Sequence, residues 1–170
     1  MSAKRQEQLD ECIEAIYNQF SNSPHSFYIS YGGFAQTIQE SLGFDDREVQ
    51  DLWALFEDRY VQPRPTKNAD LLNLSALERA SEIGIDVPLS DGLQNEIVEY
   101  LYDKYLENPS RPAVPRDAIV DEFGHTAEAI DLNVYALKLK GWVDTTPGTG
   151  TDDAGYRDAE LTDNARSELS

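Results

Sequence analysis

The chain has 170 residues, room for one domain or two small ones. Apolar residues make up 40%, a folding composition, and no run approaches the roughly 18 apolar residues that a membrane span needs. Acids outnumber bases 32 to 14, for a net charge of −18, and a lone cysteine, Cys12, excludes an intramolecular disulfide.

The first residues, Met1 to Glu11, are polar and lack the apolar core of a secretory signal, so a cytoplasmic protein is expected. Leu9, Ile13, Ile16, Tyr17 and Phe20 then fall on one face of a helix, and Cys12 among them is expected in the core. The breaker Asn22-Ser23-Pro24 ends that helix. A dense aromatic stretch follows, Phe27, Tyr28, Ile29, Tyr31 and Phe34, which the sequence assigns to neither core nor surface. A short helix is expected from Phe34 to Leu42, closed by Gly43 in the left-handed conformation. Asp45 with Glu48 caps a third helix, striped by Val49, Leu52, Leu55 and Phe56. Tyr60 to Arg64 and Leu71 to Leu74 read as a hairpin, turning through Pro65-Thr66-Lys67-Asn68. Ser75 with Glu78 then reads as the capping box of a last helix.

The same order returns later in the chain. Leu93, Ile97, Tyr100 and Leu101 repeat the first stripe, and Asn108-Pro109-Ser110 repeats the breaker. A helix is expected from Pro115 to Phe123, stopped by Gly124. Ile130, Val134 and Leu137 stripe a third helix that ends at Lys140-Gly141. Trp142 to Thr146 and Tyr156 to Leu161 form a hairpin across a glycine-rich loop, and Thr162 starts the final helix. The fold class is therefore mainly α with small β-hairpins (α+β), in two units, 1–86 and 93–170, joined by a linker at 87–92.

Two motifs carry a family resemblance. Leu137-Lys138-Leu139-Lys140-Gly141-Trp142-Val143 resembles the end of a recognition helix and its turn into a wing. Glu160-Leu161-Thr162-Asp163-Asn164-Ala165-Arg166 resembles the return strand and following cap. The chain thus resembles a tandem winged helix-turn-helix protein, although Arg59 stands in the first copy where the second has Gly141. Its acids are spread evenly, 15 against 7 bases over residues 1–87 and 17 against 7 over 88–170. That spread resembles the acidic proteins of halophilic archaea. At molar salt the screening length is about 3 Å, so overall negative charge no longer decides against DNA.

The resemblance implies double-stranded DNA as partner, read by the third helix and gripped by the wing, with a dimer expected. Arg59, Arg64 and Lys67 lie in an acid-free run from Arg59 to Ala69 and are the wing candidates. Asn133 is the candidate base reader, and Lys138 and Lys140 the candidate phosphate contacts. Against this, the outward face of the later third helix is expected to carry Glu128, Asp131, Leu132 and Tyr135, with little basic footprint. Trp53, Leu132 and Tyr135 suggest an adaptor that binds protein, or residues that close the core between units. No nucleophile elbow or phosphate loop is present, and Gly148-Thr149-Gly150 is too short to serve as one. Neither an enzyme nor a cofactor is expected. His25, His125 and Cys12 do not make a zinc pattern, and Asp45-Asp46 and Asp152-Asp153 read as solvated surface.

Overall fold

A computed structural model describes residues 2–21, 28–62, 70–147 and 156–170. Among them the chain divides into two compact units, 2–87 and 88–170. The expected linker at 87–92 is shorter than thought. A helix already begins at Asp91, because the Ser90 side chain accepts a hydrogen bond from Leu93 N at 3.1 Å.

The first unit contains α1 (Ala3–Ser21), β1 (Tyr28–Ile29), α2 (Tyr31–Leu42), α3 (Asp46–Tyr60), β2 (Val61–Gln62), β3 (Asp70–Leu72) and α4 (Leu74–Glu82). Leu9, Ile13, Ile16 and Tyr17 of α1 are buried as their spacing requires, as is Cys12, whose thiol burial pushes up to about 12. Phe34, Ile38, Val49, Leu52 and Phe56 are fully buried between α2 and α3. Each such side chain contributes about 1.5–3 kcal/mol of transfer free energy. Gly43 closes α2 at φ 70°, and Asp45 accepts from Glu48 N at 2.8 Å, both as read from the sequence.

The start of α4 differs from expectation. Its cap is Asn73, not Ser75, with Asn73 Oδ1 accepting from Ala76 N at 3.0 Å. The amide has a second use that a hydroxyl lacks: Nδ2 donates to Arg59 O at 2.8 Å, tying α4 to the end of α3. Arg79 of α4 then grips Asp10 of α1 through Nε (2.9 Å) and Nη2 (2.8 Å).

The second unit contains α5 (Asp91–Glu107), β4 (Val114–Pro115), α6 (Arg116–Glu122), α7 (Ala127–Leu139), β5 (Val143–Pro147), β6 (Tyr156–Leu161) and α8 (Asp163–Leu169). Its core gathers Leu93, Ile97, Leu101, Ile119, Ile130, Val134, Leu137, Val143 and Leu161. α6 stops one residue earlier than expected. Phe123 is extended, its ring set edge-on to Tyr100 at 5.7 Å, and Gly124 does not take a positive φ.

The two units share one strand order. The last strand is central in each: β1-β3-β2 in the first and β4-β6-β5 in the second, all antiparallel. The register matches too. Val61 faces Leu72 and Ile29 faces Asp70; Val143 faces Leu161 and Val114 faces Ala159. Ile29 thus occupies the place of Val114, and the fully buried Phe34 the place of Ile119. The short strands β1 and β4 were not expected from the sequence; two residues are too few for an alternating pattern to register.

Candidate functional site

The first candidate surface lies on α2 and α3 of the first unit. Ser30 caps α2 by accepting from Gly33 N at 3.2 Å, which puts Tyr31 at the first helical position, 40% exposed. The Tyr31 ring meets half-buried Trp53 edge-on at 5.9 Å. Trp53 lies 5.1 Å from Phe34, which lies 5.0 Å from Phe56. A stack of rings therefore runs from the core to solvent, and its outer members are Trp53 and Tyr31. Of these the sequence singled out Trp53 alone; Tyr31 was inside the undecided aromatic stretch.

The solvent side of α3 is otherwise acidic. Asp46, Asp51, Glu57 and Asp58 are exposed there, against Arg47 and Arg59. Arg59 donates from Nη1 to Gln6 Oε1 at 2.9 Å, so it is partly engaged within its own unit. Arg64 and Lys67, the other wing candidates, lie outside the described residues, as do the expected turn at 65–68, Phe27 and His25.

In the second unit, α7 corrects the sequence reading. Asp131, Leu132 and Asn133 were assigned to its outward face, yet they are 3%, 2% and 0% exposed. The stripe Ile130, Val134, Leu137 is only part of what α7 buries; Ala129 and Ala136 are buried as well. Leu132 therefore offers no docking surface. Asn133 cannot read a base, because its amide is filled. Oδ1 accepts from Ser90 N (2.9 Å) and Gln94 Nε2 (3.0 Å), while Nδ2 donates to Pro88 O (2.8 Å) and Ala129 O (2.7 Å). All four hydrogen bonds available to an asparagine side chain are made. Lys140 belongs to the same network, donating to Gln94 Oε1 at 2.6 Å and standing 3.8 Å from Asp91. Lys138 and Tyr135 are half-buried near the end of α7.

Asp131 is held by Arg116 of α6, a partner the sequence did not signal. Two bonds join them, at 2.9 and 2.7 Å, and Arg116 is held in its charged form above its ordinary range by that contact. The strands beyond α7 are acidic among their described residues. Asp144 is exposed, and Arg157 is paired with Asp158 at 3.3 Å. No cluster of three or more His, Cys, Asp or Glu side chains able to hold a metal forms among the described residues, and none of their helices is long and apolar enough to cross a membrane. The chain matches no protein-family model, no functionally described protein and no solved structure.

Proposed function

We propose that the chain is a non-enzymatic adaptor that binds protein through two winged-helix-like units, with the Tyr31–Trp53 face of the first unit as its docking surface. The observation that carries this reading is the aromatic stack that ends in solvent. Exposed aromatic edges set on a rigid base are the kind of side chain that anchors protein interfaces, since they bury area with little loss of rotamer freedom. Exposed Asp46 and Glu57 fall on the same side of α3 as Trp53, at seven residues before and four after it, so the partner fits best as an apolar or aromatic side chain flanked by basic residues. The winged-helix reading is supported by the element order and by the shared β1-β3-β2 and β4-β6-β5 arrangement.

A second reading, a DNA-binding regulator acting as a dimer, is favoured by one feature: the acid-free run from Arg59 to Ala69. The acidic exposed side of α3 and the engaged Asn133 and Lys140 weigh against it.

Capture from cell extract and gel shift with genomic fragments, both in molar potassium chloride, separate the two. The adaptor reading expects one protein bound by wild type and by Arg64→Ala/Lys67→Ala, lost with Tyr31→Ser and Trp53→Ala, and no retarded DNA. A gel shift that needs Arg64 and Lys67 but ignores Tyr31 and Trp53 would replace it with the DNA reading.

A further inference from the structure

We infer that a cleft in the second unit, between the end of α5 and the β4–α6 junction, binds a small organic carboxylate with an apolar or aromatic stem. The cleft has a volume of about 260 Å³, and its lining includes Tyr100, Lys104, Glu107, Arg111, Val114 and Ala118. A cavity of about 150 Å³ holds benzene, and drug-sized ligands begin near about 300 Å³. The space therefore suits a single ring or a short branched chain.

Charge selects the ligand class. Lys104 stands over the Tyr100 ring at 5.5 Å and is 3.4 Å from Glu107, so it is already committed. Arg111 is not. It is exposed, its backbone N–H donates to Asn108 O at 3.1 Å, and its guanidinium has no partner among the described residues. In a chain with 32 acids, a guanidinium left unpaired at the rim of a cleft stands out. Among the lining side chains two cations and Glu107 leave one positive charge to meet one carboxylate, and Glu122 also acts on Lys104, so the free guanidinium of Arg111 is the anchor. Phosphate would bring a second negative charge against Glu107. A guanidinium fork matches the two carboxylate oxygens. Val114, Ala118, Pro112 and the Tyr100 ring supply the apolar surface that a stem requires.

Titrating the full chain with benzoate while following its amide NMR spectrum tests this, at moderate and at molar potassium chloride. Saturable shifts confined to Tyr100, Lys104, Arg111, Ala113 and Ala118 are expected. Benzamide, equal in size and uncharged, should bind about tenfold more weakly, and Arg111→Gln should weaken benzoate by about tenfold. Arg111 is exposed, so this variant should keep the wild-type spectrum elsewhere. The inference is overturned if neither benzoate nor cyclohexanecarboxylate saturates by tens of millimolar, if shifts scatter over the surface, or if benzamide or the Arg111→Gln variant binds as well as the reference pair. None of these readouts involves Tyr31, Trp53 or DNA, so the result is independent of the proposed function.

Discussion

Arg116 grips the buried carboxylate of Asp131 through two parallel bonds, Nε to Oδ1 at 2.9 Å and Nη2 to Oδ2 at 2.7 Å, joining α6 to α7. The burial is lopsided: the Asp131 side chain is 2% exposed and that of Arg116 25%. Asn73 Nδ2 bonds Arg59 O and Thr162 Oγ1 bonds Gly141 O, so these two carbonyls mark equivalent places. Counting back from them, Asp131 falls where the first unit has buried Val49. Counting on from Ile29 and Val114, Arg116 falls where it has Tyr31. One unit joins its helix pair by rings and aliphatics, the other by an ion pair. Arg116→Met should therefore cost about 3 kcal/mol, because it strands a buried carboxylate. Asp131→Val should cost about 1–2 kcal/mol, because the guanidinium can turn to water, and the double variant should return to within about 1 kcal/mol of wild type. Urea midpoints check this; a double variant worse than either single would refute it.

Asn133 is the residue most changed in meaning by the structure, from base reader to buried fastener. Asn133→Ala leaves Ser90 N and Gln94 Nε2 without their shared acceptor and should cost about 2–3 kcal/mol. The Ser90 amide should exchange with solvent much faster in the variant, because its acceptor has gone. Unchanged exchange at Ser90 would mean that the bond contributes little in solution.

The Asp10 carboxyl is held below its ordinary range, chiefly by the hydrogen bonds from Arg79. Its folded value is lower than its unfolded value, so the folded state binds this proton less readily. The contribution is present above the unfolded value of about 4 and disappears as pH falls through the folded one. The pair is partly exposed, so its worth is about 0.5–1 kcal/mol. Asp10→Asn should be less stable than wild type at neutral pH, and the gap should close as pH falls from the unfolded value of about 4 through the lower folded one. Denaturation midpoints across that range provide the check, and a gap independent of pH would rule the pair out as its cause.

Much of the fold was legible because its signals are local. Asp45 and Glu48, Gly43, and Thr162 each act within one helical turn, and each was read correctly. Asn73 was missed because Ser75 offered a better-looking box, while the bond that favours Asn73 reaches back to Arg59. The candidate surfaces were less legible for a related reason. A single stripe implies one buried side, so Leu132 and Asn133 were placed in solvent, whereas α7 is buried on more than one side. Nothing in periodicity links Arg116 to Asp131, and nothing in composition links Arg111 to Tyr100; the first depends on how α6 packs on α7, the second on how the segment after α5 folds back. Trp53 stood out in the sequence and Tyr31 did not, because their contact needs α2 laid against α3.

Gly141 tests one place where the two units part in backbone conformation. It sits at φ 83°, after α7 has ended at Leu139, and its carbonyl receives the Thr162 hydroxyl at 2.9 Å. Arg59 receives the equivalent bond while still inside α3, which runs on to Tyr60 with no left-handed residue. The same strand entry is thus reached by two routes, and only the second unit needs a residue tolerant of positive φ. A Cβ at Gly141 would meet no heavy atom within 4 Å, so any penalty is conformational, not steric. Gly141→Ala should cost about 1–2 kcal/mol, and Gly141→Asn less, since asparagine visits the left-handed region more readily. Arg59→Gly should bring no gain, and should lose about 0.5–1 kcal/mol from the last turn of α3. Thermal or urea unfolding of the three variants decides the matter: an Ala variant as stable as wild type would show that the left-handed turn at Gly141 is dispensable.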